Sequence, residues 1–495
     1  MPIMDEPTSL DPQIADSNSE KLVAANCYEG LVHIMADGTI GKGVAADWNI
    51  SDDGLTYTFK LRNNSHWAVF SGHKAVLGEN YEDTFDITVK AEDFKFGIER
   101  TLSEQTGSAD APLFSAVKSI STPDDFTIVF NLSYADDNFL YALTNPGAMP
   151  CDEEFFNLTN GKYGLDAKYL LCNGPFHVSK WTEKTSVKLA KNNEYNGESS
   201  VSPSSVTFYI NNDDSEVADK MNSVTYDVAF LSSSQFSSIE NKKDLNSVAV
   251  QNVTYSFIFN QNDNNYRNKN MRLAFCRSCD TSSLFDSQSD ISKADGIVPP
   301  SCKIGGEDYR NGNAAELLSY DETLAKKNFN DALLELGSSS VETTILCTEQ
   351  YEPFVKQMVQ KLQKTLGVKF VSTVKVVSES DLEAAVNDGN YSVAFYPFKA
   401  KSSFAGEIIE GFDQNNIFGY ESDVLSQKIR NIKNNSGSLE GERSAVADAE
   451  NYLVSEAVIM PVFYENSYFV TSKKTSGIYF YSSADNVCFI NAKKS

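Results

Sequence analysis

The chain has 495 residues, of which 41% are hydrophobic and 12% aromatic, so it can form packed cores and is not globally disordered. At about 150 residues per domain, this length predicts about three domains. Lys and Arg number 42 and Asp and Glu 68, and the formal net charge of −26 argues against nucleic acid or an anionic lipid surface as a partner.

Strands are predicted where β-branched or aromatic residues run between Gly, Asn, Asp or Pro. These runs are 55–61, 126–132, 186–189, 206–210, 248–259, 343–347, 391–396 and 458–464. Helices are predicted where apolar residues recur every three or four positions. These segments are 91–102, 271–284, 324–336, 353–366, 380–386 and 445–455.

One stretch predicts a parallel strand pair. In the helix at 353–366 an apolar residue recurs at every fourth position from Phe354 onwards, and Gly367 provides a C-terminal stop. The strand at 343–347 precedes this helix, and a strand at 368–377 follows it. This β-α-β unit predicts mixed α/β lobes rather than an all-β sandwich.

Several short motifs follow one another along the chain. The first three are residues 8–13 (TSLDPQ), 26–31 (NCYEGL) and 45–62 (AADWNISDDGLTYTFKLR). Later ones are 89–94 (VKAEDF), 173–176 (NGPF), 257–260 (FIFN), 270–275 (NMRLAF) and 457–463 (AVIMPVF). Taken together and in this order, they resemble the extracytoplasmic solute-binding proteins of peptide-type ABC importers (the oligopeptide/dipeptide-binding family 5). The resemblance covers nearly the whole chain.

This resemblance implies a two-lobed α/β fold of the periplasmic-binding-protein type II class, with an extra inserted domain and a ligand cleft between the lobes. Lobe I would combine 1–31, 173–254 and 467–495. Residues 32–172 would form the inserted domain II, and 255–466 would form lobe III. Such lobes close over a ligand by a hinge motion.

The resemblance also implies where the ligand binds. Residues just after the SLDP turn line the pocket in peptide binders of this family, which here indicates Asp16, Ser17 and Asn18. Asp, Ser and Asn are also common helix caps, so a solvated capping turn is the alternative.

A second implied ligand region is Tyr396, Phe398, Lys399, Lys401 and Phe404, after the strand at 391–396. The family keeps an aspartate for the peptide ammonium at the position of Lys401. Either Lys401 contacts a ligand carboxylate or the loop has moved and Lys401 is solvated. An amine would then need another anion, such as Asp413 or Asp16.

Aromatic side chains that suit peptides or sugars are also candidates for the cleft. These are Trp67, Phe114, Tyr396, Phe398 and Phe404, and each is equally compatible with a place in a local core.

The eight cysteines permit disulfides in an exported protein. Cys151 and Cys172 flank a polar excursion, and a bridge between them would close a loop of about 20 residues and stabilise by roughly 3 kcal/mol. Cys276 and Cys279 form a C-x-x-C pair in a predicted helix, without the strand and loop of a thioredoxin motif. We expect each to pair with a distant cysteine such as Cys302 or Cys347.

No catalytic or cofactor site is predicted. The four histidines are not spaced as metal ligands, and no G-x-S-x-G, P-loop or G-x-G-x-x-G motif occurs. The enzyme hypothesis therefore rests only on Cys276 and Cys279.

We therefore predict a monomeric binding protein, not an enzyme, that captures oligopeptides outside the cell for the permease subunits of an ABC importer. No run of about 18 apolar residues predicts a membrane span, and we interpret the chain as an exported lipoprotein whose signal and lipid anchor have been removed. A cytosolic protein is the alternative location. Rival functions are binding of an oligosaccharide or another solute, and a sensor or adhesin role.

Overall fold

The computed structural model describes all residues except 36–38, 137, 198–199, 282–283, 286–289, 400–403, 414–415, 436–437 and 482–485. The described residues form two compact units. The terminal unit contains Met1–Ala249 and Tyr468–Ser495, and the central unit contains Val250–Ser467. The chain passes from one unit to the other within strand Leu245–Phe259 and returns within strand Ile459–Ser472.

The terminal unit contains two four-stranded sheets. The strand order of the first is Pro2–Ile3, Ser205–Ile210, Ser186–Lys191 and Phe176–Thr182. Its first pair is parallel and its other pairs are antiparallel. The second sheet is antiparallel, in the order Ala45–Ile50, Thr56–Leu61, Thr127–Leu132 and Val117–Asp124.

Smaller elements complete the terminal unit. Its helices are Asn18–Cys27, Lys74–Leu77, Tyr81–Thr84, Ala91–Leu102, Phe139–Ala142, Glu153–Leu158, Asp214–Asn222 and Ser233–Ser238. Its short strand pairs are Val32–Ile34 with Ile40–Lys42, Thr475–Ser476 with Lys493–Lys494, and Tyr479–Tyr481 with Asn486–Cys488. Strand Val228–Ser232 pairs with Ile459–Ser472, whose last residues belong to this unit.

The hairpin between Ala45–Ile50 and Thr56–Leu61 shows how the sequence determines local structure. Gly54 has a φ of +69°, which glycine adopts without strain. The Asp53 carboxylate accepts hydrogen bonds from the Leu55 N–H and the Ser51 hydroxyl, which fixes the turn. Along the second strand the alternate residues Tyr57, Phe59 and Leu61 are buried, as period-two patterning requires.

The central unit is built on one mixed sheet. Its strand order is Ile459–Ser472, Leu245–Phe259, Val393–Lys399, Val341–Cys347 and Phe370–Val376, and Ile291–Lys293 pairs with Ile459–Ser472. A short pair joins Lys303–Ile304 to Glu307–Asp308. The helices are Asn264–Arg267, Lys269–Ser278, Glu322–Leu336, Glu352–Leu366, Glu379–Asn387, Ala405–Glu410, Asp423–Asn434 and Leu439–Ser455.

The predicted β-α-β unit is confirmed. Val341–Cys347 and Phe370–Val376 are parallel neighbours, and the helix Glu352–Leu366 connects them. Alternate residues of strand Val393–Lys399 enter two separate hydrophobic cores, Phe395 on one side and Tyr396 and Phe398 on the other. The sheet therefore has a core on each face, as mixed α/β units do.

Two predicted boundaries are wrong. The helix predicted at 271–284 ends at Ser278, because Cys279 has extended backbone angles and caps it. The strand predicted at 458–464 continues to Ser472, because its polar residues after Tyr464 still pair with neighbouring strands. Both errors arise where the apolar pattern and the hydrogen-bonded element do not end together.

A buried ion pair anchors helix Leu439–Ser455. Glu450, 1% exposed, accepts hydrogen bonds from the backbone N–H groups of Ile297 (2.6 Å) and Val298 (2.9 Å). Its carboxylate also accepts bonds from the Tyr309 hydroxyl and from two nitrogens of the Arg310 guanidinium. Every carboxylate oxygen is therefore satisfied, which is what a buried charge requires.

Candidate functional site

The turn after the SLDP motif leads into helix Asn18–Cys27. Ser17 is the N-cap: its hydroxyl accepts the Glu20 N–H at 3.2 Å, and the Glu20 carboxylate accepts the Ser17 N–H in return. This reciprocal pair is a capping box. The structure therefore gives Ser17 the capping role that was the alternative to ligand contact.

Glu20 holds this turn together. Its carboxylate also accepts the backbone N–H groups of Thr8 (2.7 Å) and Asp16 (3.0 Å) and the Thr8 hydroxyl. Burial acts to raise the pKa of Glu20, but these hydrogen bonds outweigh it and lower the pKa below its usual range. The turn is thus held in one conformation, with the side chains of Asp16 and Asn18 exposed at its surface.

The aromatic residues of the second predicted region gather on one face of strand Val393–Lys399. Tyr396 packs edge-on against Phe398, and Phe398 stacks on Phe412 with the ring centroids 5.7 Å apart. Phe404 packs against the same core. Tyr396, Phe398 and Phe404 are each partly buried, so they combine a packing role with accessible ring surface.

Lys399 lies on the opposite face of that strand from Tyr396 and Phe398 because side chains alternate along a strand. The cluster on this face contains Tyr255, Tyr351 and Phe395, with Tyr255 and Tyr351 ring centroids 4.4 Å apart. Lys401 lies outside the described residues, so its predicted role remains a prediction.

An acidic residue that the sequence did not single out lies at the edge of this cluster. The Tyr351 hydroxyl donates to Glu465 Oε1 at 2.5 Å, and Gln350 Nε2 donates to the same oxygen at 3.4 Å. Glu465 is partly buried and lies two residues before Ser467, the last residue of the central unit. The signal for it in the sequence was an acid directly after the apolar run of the strand predicted at 458–464.

The surroundings of Glu465 act on its pKa in both directions. Burial raises the pKa of Glu465, and the nearby Glu379 carboxylate adds to this effect. The Tyr351 hydrogen bond and the Lys399 ammonium act in the opposite direction. A cation placed beside Glu465 would favour its ionised form, whereas Tyr351, which donates to this carboxylate, is itself buried at 7% exposure.

Two of the aromatic candidates are core residues. Trp67 and Phe114 are both 0% exposed, so neither can contact a ligand without rearrangement. Of the anions suggested for a ligand amine, Asp413 accepts the Ser426 hydroxyl at 2.7 Å and is partly buried.

Cys151 and Cys172 are both free thiols in the structure, as is Cys27, and the bridge between Cys151 and Cys172 remains a prediction. The Cys151 thiol accepts a hydrogen bond from Arg100 Nη1 at 3.5 Å and lies beside Tyr163. The structure also does not form the suggested bridges from Cys276 and Cys279 to Cys302 or Cys347.

The C-x-x-C pair lacks the features of a reactive dithiol. Cys276 and Cys279 are buried and line a cavity of about 340 Å³ with apolar residues that include Leu317 and Val462. Burial raises the pKa of Cys276 to about 12 and also raises that of Cys279. Reactive cysteines need a lowered pKa and access, so this environment does not support thiol chemistry.

In the described ranges, no group of three or more His, Cys, Asp or Glu residues is placed to hold a metal ion. Both nitrogens of the buried His73 ring are used locally, by the Phe70 N–H and the Leu170 carbonyl. Burial lowers the pKa of His73 to about 4, so this ring is neutral at pH 7.

Comparison with known proteins shows the family to which this chain belongs. The profile of bacterial extracellular solute-binding proteins, family 5 Middle, matches residues 39–418. The dipeptide-binding protein DppE of Bacillus subtilis is 24% identical over 496 residues, which cover 96% of this chain and 88% of that protein.

Solved structures share the fold. OppA of Listeria monocytogenes, bound to peptide, gives a TM-score of 0.76 at 21% identity and covers 100% of this chain and 99% of that one. The dipeptide-binding protein of Pseudoalteromonas sp. SM9913, in complex with Met-Leu, gives 0.78 at 18% identity, again covering 100% and 99%. This likeness confirms the predicted fold class. Among the described helices, none has the length and apolar character needed to cross a membrane.

Proposed function

Because the chain belongs to the bacterial extracellular solute-binding proteins of family 5, we propose that it captures oligopeptides and delivers them to the permease subunits of an ABC importer. The observation that carries this proposal is the family match, together with relatives named for dipeptide or oligopeptide binding. The protein acts by binding and carries out no covalent chemistry.

The chemistry of the central unit supports a ligand with an ammonium group. Glu465 offers a partly buried carboxylate, and the partly buried Tyr255 ring lies in the adjacent aromatic cluster. A peptide with a free N-terminus presents an ammonium that can pair with this carboxylate. An uncharged oligosaccharide presents none.

We therefore propose Glu465 as the anchor for the peptide ammonium, in place of the aspartate whose position Lys401 takes. Asp16, Ser17, Asn18, Tyr396, Phe398, Lys399, Lys401 and Phe404 remain proposed ligand contacts. Ser17 is the least favoured of these, because both its hydroxyl and its backbone N–H are engaged in the capping box.

The remaining parts of the proposal concern organisation and location. The protein acts as a monomer at the cell surface, held by a lipid anchor outside this sequence, and closes lobe I (1–31, 173–254 and 467–495) and lobe III (255–466) over the ligand by a hinge. Residues 32–172 form the inserted domain II. The protein would bind the peptide through backbone hydrogen bonds and bound water, and would therefore have little specificity for the peptide side chains.

Calorimetry with a ligand panel tests the proposal. The panel contains tri- to pentapeptides with free ends, the same peptides acetylated at the N-terminus or amidated at the C-terminus, and maltotriose. We expect free peptides to bind, N-acetylation to weaken binding at least about tenfold, since one charge-assisted hydrogen bond is lost, and maltotriose not to bind. Binding of maltotriose without binding of any peptide would contradict the proposal.

A further inference from the structure

Two chain segments distant in sequence lie side by side in the terminal unit. The Gly174 N–H donates to the Cys27 carbonyl at 2.9 Å. The Asn173 side chain bridges to Glu29, accepting its N–H at 3.0 Å and donating to its carbonyl at 2.8 Å. These three hydrogen bonds fix the end of helix Asn18–Cys27 against the entry to strand Phe176–Thr182.

A pair of thiols lies inside this contact. Cys27 is 0% exposed and Cys172 is 1% exposed, and both are free thiols in the structure. Burial raises the pKa of the Cys27 thiol, and the nearby Cys172 adds to this effect. Gly174 leaves no room for a side chain at this place, because a Cβ there would lie 2.6 Å from the Cys27 carbonyl carbon. The close approach of the two backbones is therefore built into the sequence.

We propose that Cys27 and Cys172 form a disulfide when the chain folds in an oxidising compartment. Cys172 lies two residues before Gly174, whose backbone is hydrogen-bonded to Cys27, and a disulfide needs such a close approach of the two chain segments. Cys151, the partner predicted from the polar excursion between it and Cys172, instead contacts Arg100 and Tyr163.

The reaction is a thiol–disulfide exchange with a small-molecule disulfide such as oxidised glutathione. One cysteine thiolate attacks a sulfur of that disulfide and expels a thiolate, which leaves a mixed disulfide. The second cysteine thiolate attacks the mixed disulfide, forms the Sγ–Sγ bond and expels the second thiolate. The two cysteines lose two electrons and two protons, and the reagent is reduced to two thiols. Because both sulfurs are buried in the folded chain, the exchange takes place during folding.

This bridge would close a loop of about 145 residues, so it constrains the unfolded chain far more than the short loop between Cys151 and Cys172 would. It would fasten the N-terminal helix to the first sheet and leave the central unit unaffected. The expected consequence is a higher melting temperature for the terminal unit alone.

Peptide mapping after oxidative refolding tests the pairing. The reduced, unfolded full chain is refolded in a glutathione buffer, remaining thiols are blocked with N-ethylmaleimide in denaturant, and the digest is analysed by mass spectrometry without reduction. We expect a linked pair of peptides carrying Cys27 and Cys172, with Cys151 alkylated. Alkylation of both Cys27 and Cys172, or a link from either of them to another cysteine, would overturn the proposal.

Melting temperatures of two variants distinguish a Cys27–Cys172 bridge from a Cys151–Cys172 bridge. Dithiothreitol should lower the melting temperature of the wild-type protein and of Cys151→Ser by several degrees, and leave Cys27→Ser unchanged. If Cys27→Ser does not fold, mapping of Cys151→Ser still decides the question. Retention of the link to Cys27 supports the proposal, and its loss contradicts it.

Discussion

Replacing Glu450 with alanine is expected to destabilise the central unit by about 3–5 kcal/mol, because the Arg310 guanidinium would be left buried without its partner. The same change removes the acceptor for two backbone N–H groups and the Tyr309 hydroxyl. Chemical denaturation followed by circular dichroism measures the loss, and the two units are fitted as separate transitions.

The matched control is Glu456→Ala. Glu456 follows the same helix and pairs with Lys269 at 2.6 Å, but both side chains are partly exposed to solvent. Such pairs contribute about 0–1 kcal/mol, so this variant should remain close to the wild type. Equal losses of stability in Glu450→Ala and Glu456→Ala would show that burial does not determine how much the Arg310–Glu450 pair contributes to the free energy of unfolding.

Replacing Glu465 with glutamine is expected to weaken a peptide with a free N-terminus by about 10- to 100-fold, since a charge-assisted hydrogen bond contributes roughly 1.5–3 kcal/mol. Binding of the N-acetylated peptide should be unchanged. Calorimetry with both peptides checks this. Glu379→Gln is the control, because Glu379 is an exposed neighbour of the same charge.

The pH dependence of binding gives the same prediction a second readout. Only the ionised Glu465 attracts an ammonium, and burial raises the pKa of this carboxyl in the free protein. Affinity for the free peptide should therefore fall as the pH decreases through that raised pKa, and the fall should be absent in Glu465→Gln. An unchanged affinity in Glu465→Gln would place the ammonium elsewhere, with Asp16 and Asp413 as the next candidates.

Local patterns in the sequence were sufficient for many of the helices and strands, whereas the two-lobed fold was predicted from the family resemblance. The hairpin of Thr56–Leu61 follows from alternation and from the Asp53–Gly54 turn, and the helix Glu352–Leu366 follows from its apolar repeat and Gly367. Both depend on residues within a few positions of one another. Such patterns did not predict where helix Lys269–Ser278 ends, because its C-terminal cap is Cys279 in an extended conformation.

The candidate site depends on contacts that one sequence does not display. Tyr255, Tyr351 and Glu465 come from three segments separated by about 100 residues each, and only the sheet order brings them together. Cys151 was chosen as a partner for Cys172 because the two flank one polar excursion of the chain, whereas the neighbours of the Cys151 thiol are Arg100 and Tyr163, which the local sequence does not indicate. The sequence indicates the capping role of Ser17, because Glu20 follows three residues later, as in a capping box.

Native mass spectrometry of the protein, isolated without an unfolding step and then offered a mixture of peptides and oligosaccharides, tests most directly whether the chain is a peptide-binding protein. A peptide binder should retain an additional mass that releases amino-acid fragments on activation, and should exchange it for peptides from the mixture. Retention of hexose increments, or failure of every peptide to bind to the emptied protein, would contradict that function.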